Sequence, residues 1–311
     1  MPQIPSLPRH SLGKTGLQVT SLCVGCAALG NMPETFAYQV AEEQALATIR
    51  AIFDSPITFL DTAASYGDGE SERRLGFVIR ERGGLPQEMV LATKADRDLK
   101  TGDFSGAQMR RSVERSLRLL GVEQLQLVYL HDPEHITFEQ AMAPGGPVEV
   151  LRQCQEEGLI AHLGVAGGPI DLMTRFVQTG LFEVAISHNR YTLLNRDAHP
   201  FWDMCAQHEI AAVNAAPFGS GLLAKGPSTY PRYMYAEANR TLLEQARRIE
   251  GLCQQHAIPL AAAALQFSLR DPRIESTIVG MSRPERIDET LALANLPIPQ
   301  VFWAELEEMN T

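Results

Sequence analysis

Short apolar runs alternate with longer amphipathic stretches along nearly the whole chain. The runs at 21–25, 57–60, 89–92, 125–130, 160–165, 182–186, 210–214 and 276–279 show little polar alternation, as expected of strands covered on both faces. Between them, apolar positions return at helical spacing. Leu75, Val78 and Ile79 share one face, as do Met109, Val113, Leu117 and Leu120, and again Leu242, Ala246, Ile249 and Cys253. Ser105-Gly106-Ala107-Gln108 opens the second stretch with a capping-box pattern. Alternating strand and helix predict parallel strands joined by right-handed crossovers. Eight such units in 311 residues predict an α/β fold of the (β/α)8 barrel type rather than an open sheet. No Pro/Gly/Ser-rich linker divides the chain, so residues 1–311 are expected to form one domain. Two irregular zones, 131–147 and 215–238, follow the fourth and seventh runs. In a barrel both lie at the C-terminal face, where active sites are built.

Composition narrows the field. Hydrophobic residues make up 45% of the chain, enough for a sizeable core and too many for a disordered one. The net charge is −10, from 27 basic and 37 acidic residues. With no basic stripe, neither nucleic acid nor an anionic membrane is an expected partner. Residues 1–13 lack the apolar centre of a signal peptide, and no run reaches the ~18 apolar residues of a membrane span. A cytoplasmic location is expected. Cys23 and Cys26 form the only CxxC among five cysteines, within an apolar run. On a strand they point to opposite faces, so they read as buried thiols in a reducing compartment. His131-Asp132-Pro133-Glu134-His135 gathers four potential ligands, but Pro133 opposes a helical i,i+4 pair, and no metal is expected. Gly67-Asp68-Gly69 lacks the third glycine of a dinucleotide fingerprint. GxxxxGK[ST], HExxH and GxSxG are all missing from the sequence.

The chemistry gathers at the strand ends. Asp61, Lys94 and His131 each directly follow or close an apolar run, and Tyr66 lies five residues past Asp61. Adjacent strands sit ~4.8 Å apart, so their ends deliver these groups to one cleft. A tyrosine of ordinary pKa ~10 is a poor proton carrier at neutral pH. A lysine cation beside it stabilises the phenolate, and an aspartate keeps that lysine charged. His131 supplies a partner for a substrate oxygen.

With Phe59-Leu60-Asp61-Thr62-Ala63-Ala64-Ser65-Tyr66-Gly67 followed by Glu70 and Glu72, the chain resembles the aldo-keto reductases over nearly its whole length. The resemblance implies a catalytic tetrad of Asp61, Tyr66, Lys94 and His131, and NAD or NADP bound without a Rossmann domain. It implies a TIM barrel whose bottom is closed by an N-terminal β-hairpin around residues 12–19, with a C-terminal helical extension. Cofactor contacts carry over to Gly25, Cys26, Asp61, Ala166, Gly167, His188, Pro217 and Phe218. The pyrophosphate loop maps to Ser220, Gly221 and Leu222, and the adenosine end to Gly280, Ser282, Arg283, Arg286, Glu289 and Thr290. The chain departs from the family at several points. Ala166-Gly167 stands where Ser-Asn is frequent, His188 where Gln is frequent, Ala215 where an aromatic is frequent, and Gly280-Met281 where Lys-Ser is frequent. The choice between NAD and NADP is therefore open. Substrate walls are expected from Phe36, Tyr66, the 131–147 loop and Phe302-Trp303.

His131-Asp132-Pro133, Arg190-Tyr191-Thr192-Leu193-Leu194 and Asn214-Ala215-Ala216-Pro217-Phe218 are similar to the sugar-dehydrogenase branch of the family. That branch oxidises L-fucose, D-threo-aldoses or L-galactose to lactones, and pyridoxal 4-dehydrogenase lies near it. The implied activity is hydride transfer with an aldose at its anomeric carbon. Two alternatives stand beside it: a general aldehyde, ketone or pyridoxal-type oxidoreductase, and a non-catalytic NADP(H)-binding sensor or accessory subunit.

Overall fold

A computed structural model describes residues 7–309. Eight parallel strands close a barrel, and helices cover its outside. The chain enters through a hairpin of β1 (Arg9–Ser11) and β2 (Gln18–Thr20). The barrel then takes β3 (Leu22–Gly25), β4 (Phe59–Asp61), β5 (Val90–Ala95), β6 (Leu125–His131), β7 (Ile160–Gly167), β8 (Val184–His188) and β9 (Ala211–Ala215) in order. A short hairpin of β10 (Arg232–Tyr233) and β11 (Ala236–Glu237) interrupts the alternation. Then β12 (Ile274–Gly280) closes the barrel between β9 and β3. All eight expected strands are present, most of them reaching further toward the C-terminal rim than the apolar runs alone indicate. The last residue of β4, β6 and β8 is polar because it belongs to the rim.

Two apolar layers form. Inside the barrel, Cys23, Phe59, Val90, Leu127, Tyr129 and Val213 pack together, and Leu12 and Val19 of the hairpin join them from below. The larger layer lies between strands and helices and includes Val24, Cys26, Leu60, Leu91, Val128 and Leu163. Cys23 lies in the interior layer, and Cys26, one residue past the end of β3 where the backbone leaves the extended form, lies in the outer one. All five cysteines are free and buried. Helices Gln300–Glu308 and Arg240–Gln255 pack against each other at the chain's end. Phe302 and Trp303, expected as substrate walls, are core residues instead. Phe302 meets His256 edge-on at 5.7 Å and Arg270 covers Trp303 at 4.3 Å. Among the described residues no helix is long and apolar enough to cross a membrane.

The capping box before the helix Gly106–Leu120 is half formed. Ser105 Oγ accepts from the Gln108 N–H, but the Gln108 side chain donates to the Asp96 carbonyl. Glu72, on the helix Glu70–Glu81, is fully buried against β5, where the Thr93 hydroxyl donates to it at 2.6 Å. Burial pushes its carboxyl up to about 7. An unfolded glutamate ionises near ~4.3, so the stability held by the neutral acid is full below that value and is lost as pH rises through about 7. Glu72→Gln is expected to stabilise the protein at pH 8 by about 2–3 kcal/mol and to do little at pH 4. Urea unfolding at both pH values checks this, and an equal effect at both would refute it.

Candidate active site

The ends of β4, β5 and β6 hold one connected group. Lys94 Nζ lies 2.5 Å from Asp61 Oδ1, 2.7 Å from the Thr62 carbonyl and 3.1 Å from Tyr66 Oη. These three acceptors use all three ammonium hydrogens, so the lysine has one available pose. Burial disfavours the Lys94 charge, but Asp61 and Tyr66 outweigh it and hold the ammonium above the ordinary lysine range. The His131 ring meets the Tyr66 ring edge-on at 5.9 Å.

Local backbone explains why Tyr66 reaches back over the mouth. The Thr62 and Ala64 N–H groups donate to the Ala92 and Lys94 carbonyls, which extends the β4–β5 ladder past the strand. The chain then turns at Gly67, whose φ is +62°, and its backbone abuts Gly30 so closely that a Cβ there would lie 2.0 Å from the Gly30 carbonyl oxygen. Only glycine fits that contact. Buried Arg74, on the helix that follows, fixes the facing segment after β3 by donating to the Leu29 carbonyl at 2.5 Å.

Burial pushes the Tyr66 phenol up, and the Lys94 ammonium offsets only part of that rise. The lysine therefore acts on the phenol in the expected direction, while the net position stays high because the barrel mouth strips water from the hydroxyl. His131 is also shifted up, but for a different reason. Burial disfavours its cation, yet Asp96 and Asp132 hold its pKa above the ordinary histidine range. Asp96, which sequence reasoning missed, touches His131 Nδ1 at 2.6 Å. Its only sequence signal is a carboxylate two residues past the lysine, which does not reveal a partner 35 residues away.

Other expected site residues divide into two groups. Along the rim, Asp132 lies 3.6 Å from His131 Nε2 and 3.7 Å from His188 Nε2. Glu134 accepts from the Gly168 N–H at 3.4 Å, beside the Gly167 backbone. Asp132, Glu134 and His188 bring one ligand atom each within 4.8 Å of one another. Asp132 Oδ1 has no hydrogen-bond partner and sits between the two imidazoles. Toward the end of β12, Arg283 and Arg286 both hold Glu289, at 2.6 and 2.9 Å. The side chains of Cys26, Leu222 and Thr290 are buried, and Thr290 Oγ1 is bonded to the Arg286 carbonyl. All three residues, backbone included, lie wholly inside the protein. Gly25, Ala166, Pro217 and Phe218 are also buried, while Ser220, Gly221 and Ser282 are half-buried. Gly280 is exposed at the rim.

Two tyrosines that the sequence did not single out lie next to these residues. Tyr38 faces Ser282, Arg283 and Arg286. Tyr235 packs edge-on against Phe36 at 6.1 Å, and its N–H donates to Ser220 Oγ at 3.1 Å. Tyr38 sits on the irregular loop after β3, and Tyr235 in the two-residue turn between β10 and β11.

The family model described as "Aldo/keto reductase family" matches residues 21–311. The chain is 32% identical to a D-threo-aldose 1-dehydrogenase from Pseudomonas sp over 319 aligned positions, covering 94% of each. It is 28% identical to the pyridoxal 4-dehydrogenase of Microbacterium luteolum, covering 96% of each. It is also 28% identical to the L-galactose dehydrogenase of Arabidopsis thaliana, covering 96% of this chain and 92% of that one. The holo form of an aldo-keto reductase from Bacillus halodurans superposes with a TM-score of 0.78 at 21% identity, covering 97% of this chain and 96% of that chain. That last likeness bears on the fold alone. The barrel, its buried Asp61–Lys94–Tyr66 chain and these matches agree: this protein belongs to the aldo/keto reductase family of NAD(P)-dependent oxidoreductases.

Proposed function

We propose that the chain acts as a single domain that oxidises an aldose at its anomeric carbon, with Tyr66 as proton carrier. The observation that carries this reading is the unbroken Asp61–Lys94–Tyr66 chain at the mouth, with contacts of 2.5 and 3.1 Å. In oxidation the substrate hydroxyl gives its proton to Tyr66 Oη as the C–H bond breaks and a carbonyl forms. In reduction the same phenol returns the proton. Lys94 stabilises the phenolate that takes the proton in oxidation and is left behind after reduction, Asp61 keeps Lys94 charged, and His131 orients the substrate oxygen. The bound nicotinamide supplies the hydride acceptor in oxidation and the hydride donor in reduction.

The rim supports a polyhydroxylated substrate. Asp132 beside His131, with Glu134 and His188 close to it, places acceptors and a donor at the rim, suited to hydroxyl groups. The D-threo-aldose and L-galactose dehydrogenases among the relatives point the same way. The test is initial rates with NAD and NADP on L-fucose, L-galactose, D-arabinose, pyridoxal and simple aldehydes. Turnover confined to pyridoxal or aldehydes would remove the aldose and keep the chemistry. Tight cofactor binding with no turnover would make the chain an accessory binder.

The residues fit a dinucleotide. Buried Asn189 Oδ1 has no hydrogen-bond partner, leaving an acceptor for an amide N–H. Arg283, Arg286 and Ser282 gather positive charge and a hydroxyl at the other end. A 2′-phosphate there competes with Glu289 for both arginines. Arg283→Ala or Arg286→Ala is expected to weaken NADP by roughly tenfold, with NAD nearly unaffected. Fluorescence titration of both cofactors checks this, and equal losses for the two would mean that the arginines do not read the phosphate.

A further inference from the structure

We infer that Asp96 is a positioning residue that decides which nitrogen of neutral His131 carries the hydrogen, and so whether Nε2 can donate to the substrate oxygen. The inference rests on the reading of His131 as partner of that oxygen. Asp96 is itself immobilised. Its Oδ1 lies 2.6 Å from His131 Nδ1 and its Oδ2 accepts the Ser65 N–H at 2.9 Å. Its own N–H donates to Ser112 Oγ at 3.1 Å, and its carbonyl accepts from Gln108 Nε2 at 3.1 Å. The residue is only 4% exposed. The same carboxylate thus joins the imidazole to the loop that carries Tyr66.

An ionised carboxylate only accepts, so His131 Nδ1 must donate to it. A neutral His131 then holds its single hydrogen on Nδ1 and turns a bare Nε2 toward the mouth. Nε2 carries a hydrogen only in the imidazolium. The groups facing the ring are Asp96 and Lys94 on or just past β5, Asp132 beyond β6, Asp61 at the end of β4 with Tyr66 from the loop after it, and His188 behind Asp132. The two carboxylates prevail over burial and Lys94, and the cation persists above the usual histidine range. Carbonyl reduction needs a donor at Nε2. Its rate is therefore expected to fall once His131 loses its proton, because a bare Nε2 repels the carbonyl oxygen.

Asp96→Asn reverses the arrangement. The amide oxygen must stay on the Ser65 N–H, which turns the amide NH2 toward His131 Nδ1. The neutral ring then carries its hydrogen on Nε2, and the donor survives deprotonation. In the parent enzyme, kcat/KM for carbonyl reduction should show an alkaline limb above ~6.5. In D96N that limb should vanish, whatever happens to the overall rate. A residue with only a structural role would lower the rate without removing a limb. A limb unmoved in D96N overturns the inference. Should D96N fail to fold, nitrogen-15 NMR of histidine-labelled parent enzyme decides. The hydrogen of neutral His131 is expected on Nδ1, and finding it on Nε2 overturns the inference. The NMR measurement reads only the imidazole, so it is independent of the Tyr66 reading, which fails separately if the enzyme keeps its turnover without the phenol.

Discussion

Tyr66→Phe is expected to lower turnover by about 10²–10⁴-fold while cofactor affinity is kept. The phenol oxygen is the one group in the cluster that reaches both Lys94 and the open mouth, with Nζ at 3.1 Å. Removing it deletes the proton carrier and almost no volume. The ring keeps its edge-on contact with His131 and the turn at Gly67 is untouched, so the fold should persist. Steady-state rates in both directions, beside a fluorescence titration of the cofactor, separate the two effects. Turnover within about threefold of the parent would remove Tyr66 from the reaction.

Lys94→Met should produce a comparable loss, with a different signature. Burial already pushes the Tyr66 phenol up, and Lys94 is the group that draws it down. Without the ammonium the phenolate forms only at still higher pH, so the oxidation profile moves to higher pH as it falls in height. The change also strands a buried carboxylate, because Asp61 loses its 2.5 Å partner. That costs about 3–5 kcal/mol of stability. The double variant Asp61→Asn/Lys94→Met relieves the stranded charge and should recover stability while the displaced profile remains. Melting curves and pH–rate profiles of both variants check the pair, and an unshifted profile would show that Lys94 acts in some other way.

These residues were legible in the sequence for a simple reason. Asp61, Lys94 and His131 are polar groups attached to apolar runs, and a barrel brings strand ends together whatever lies between them. Asp96 was not legible, because its role depends on a histidine on the next strand and on backbone held by Ser112 and Gln108. The capping-box pattern at Ser105 was read correctly for the helix start and incorrectly for Gln108, since side-chain choice between two acceptors is a tertiary matter. Phe302 and Trp303 show the opposite failure. An aromatic pair near a chain end has the same sequence appearance at a mouth or in a core, and here the helix Arg240–Gln255 claims it. Tyr38 lies on an irregular loop, where no repeating pattern exists to be read, and Tyr235 in the turn of a hairpin too short to show one.

The seam between β3 and β12 sets a condition on how the enzyme can be made. Leu22 to Gly25 pair with Thr277 to Gly280, and Ser276 Oγ donates to the Thr20 carbonyl, a separation of 256 residues. During synthesis the tetrad is complete in sequence once His131 has been added, but β3 still lacks one neighbour until Gly280 leaves the ribosome. Contacts this distant in sequence form late, after the entropy of a very long loop has been overcome. Until then two strand edges stand open, which makes the unfinished chain a client for chaperones. A ribosome-arrested chain ending before β12 should therefore show no reductase activity, although it contains Asp61, Tyr66, Lys94 and His131. Release of the remaining residues should restore it.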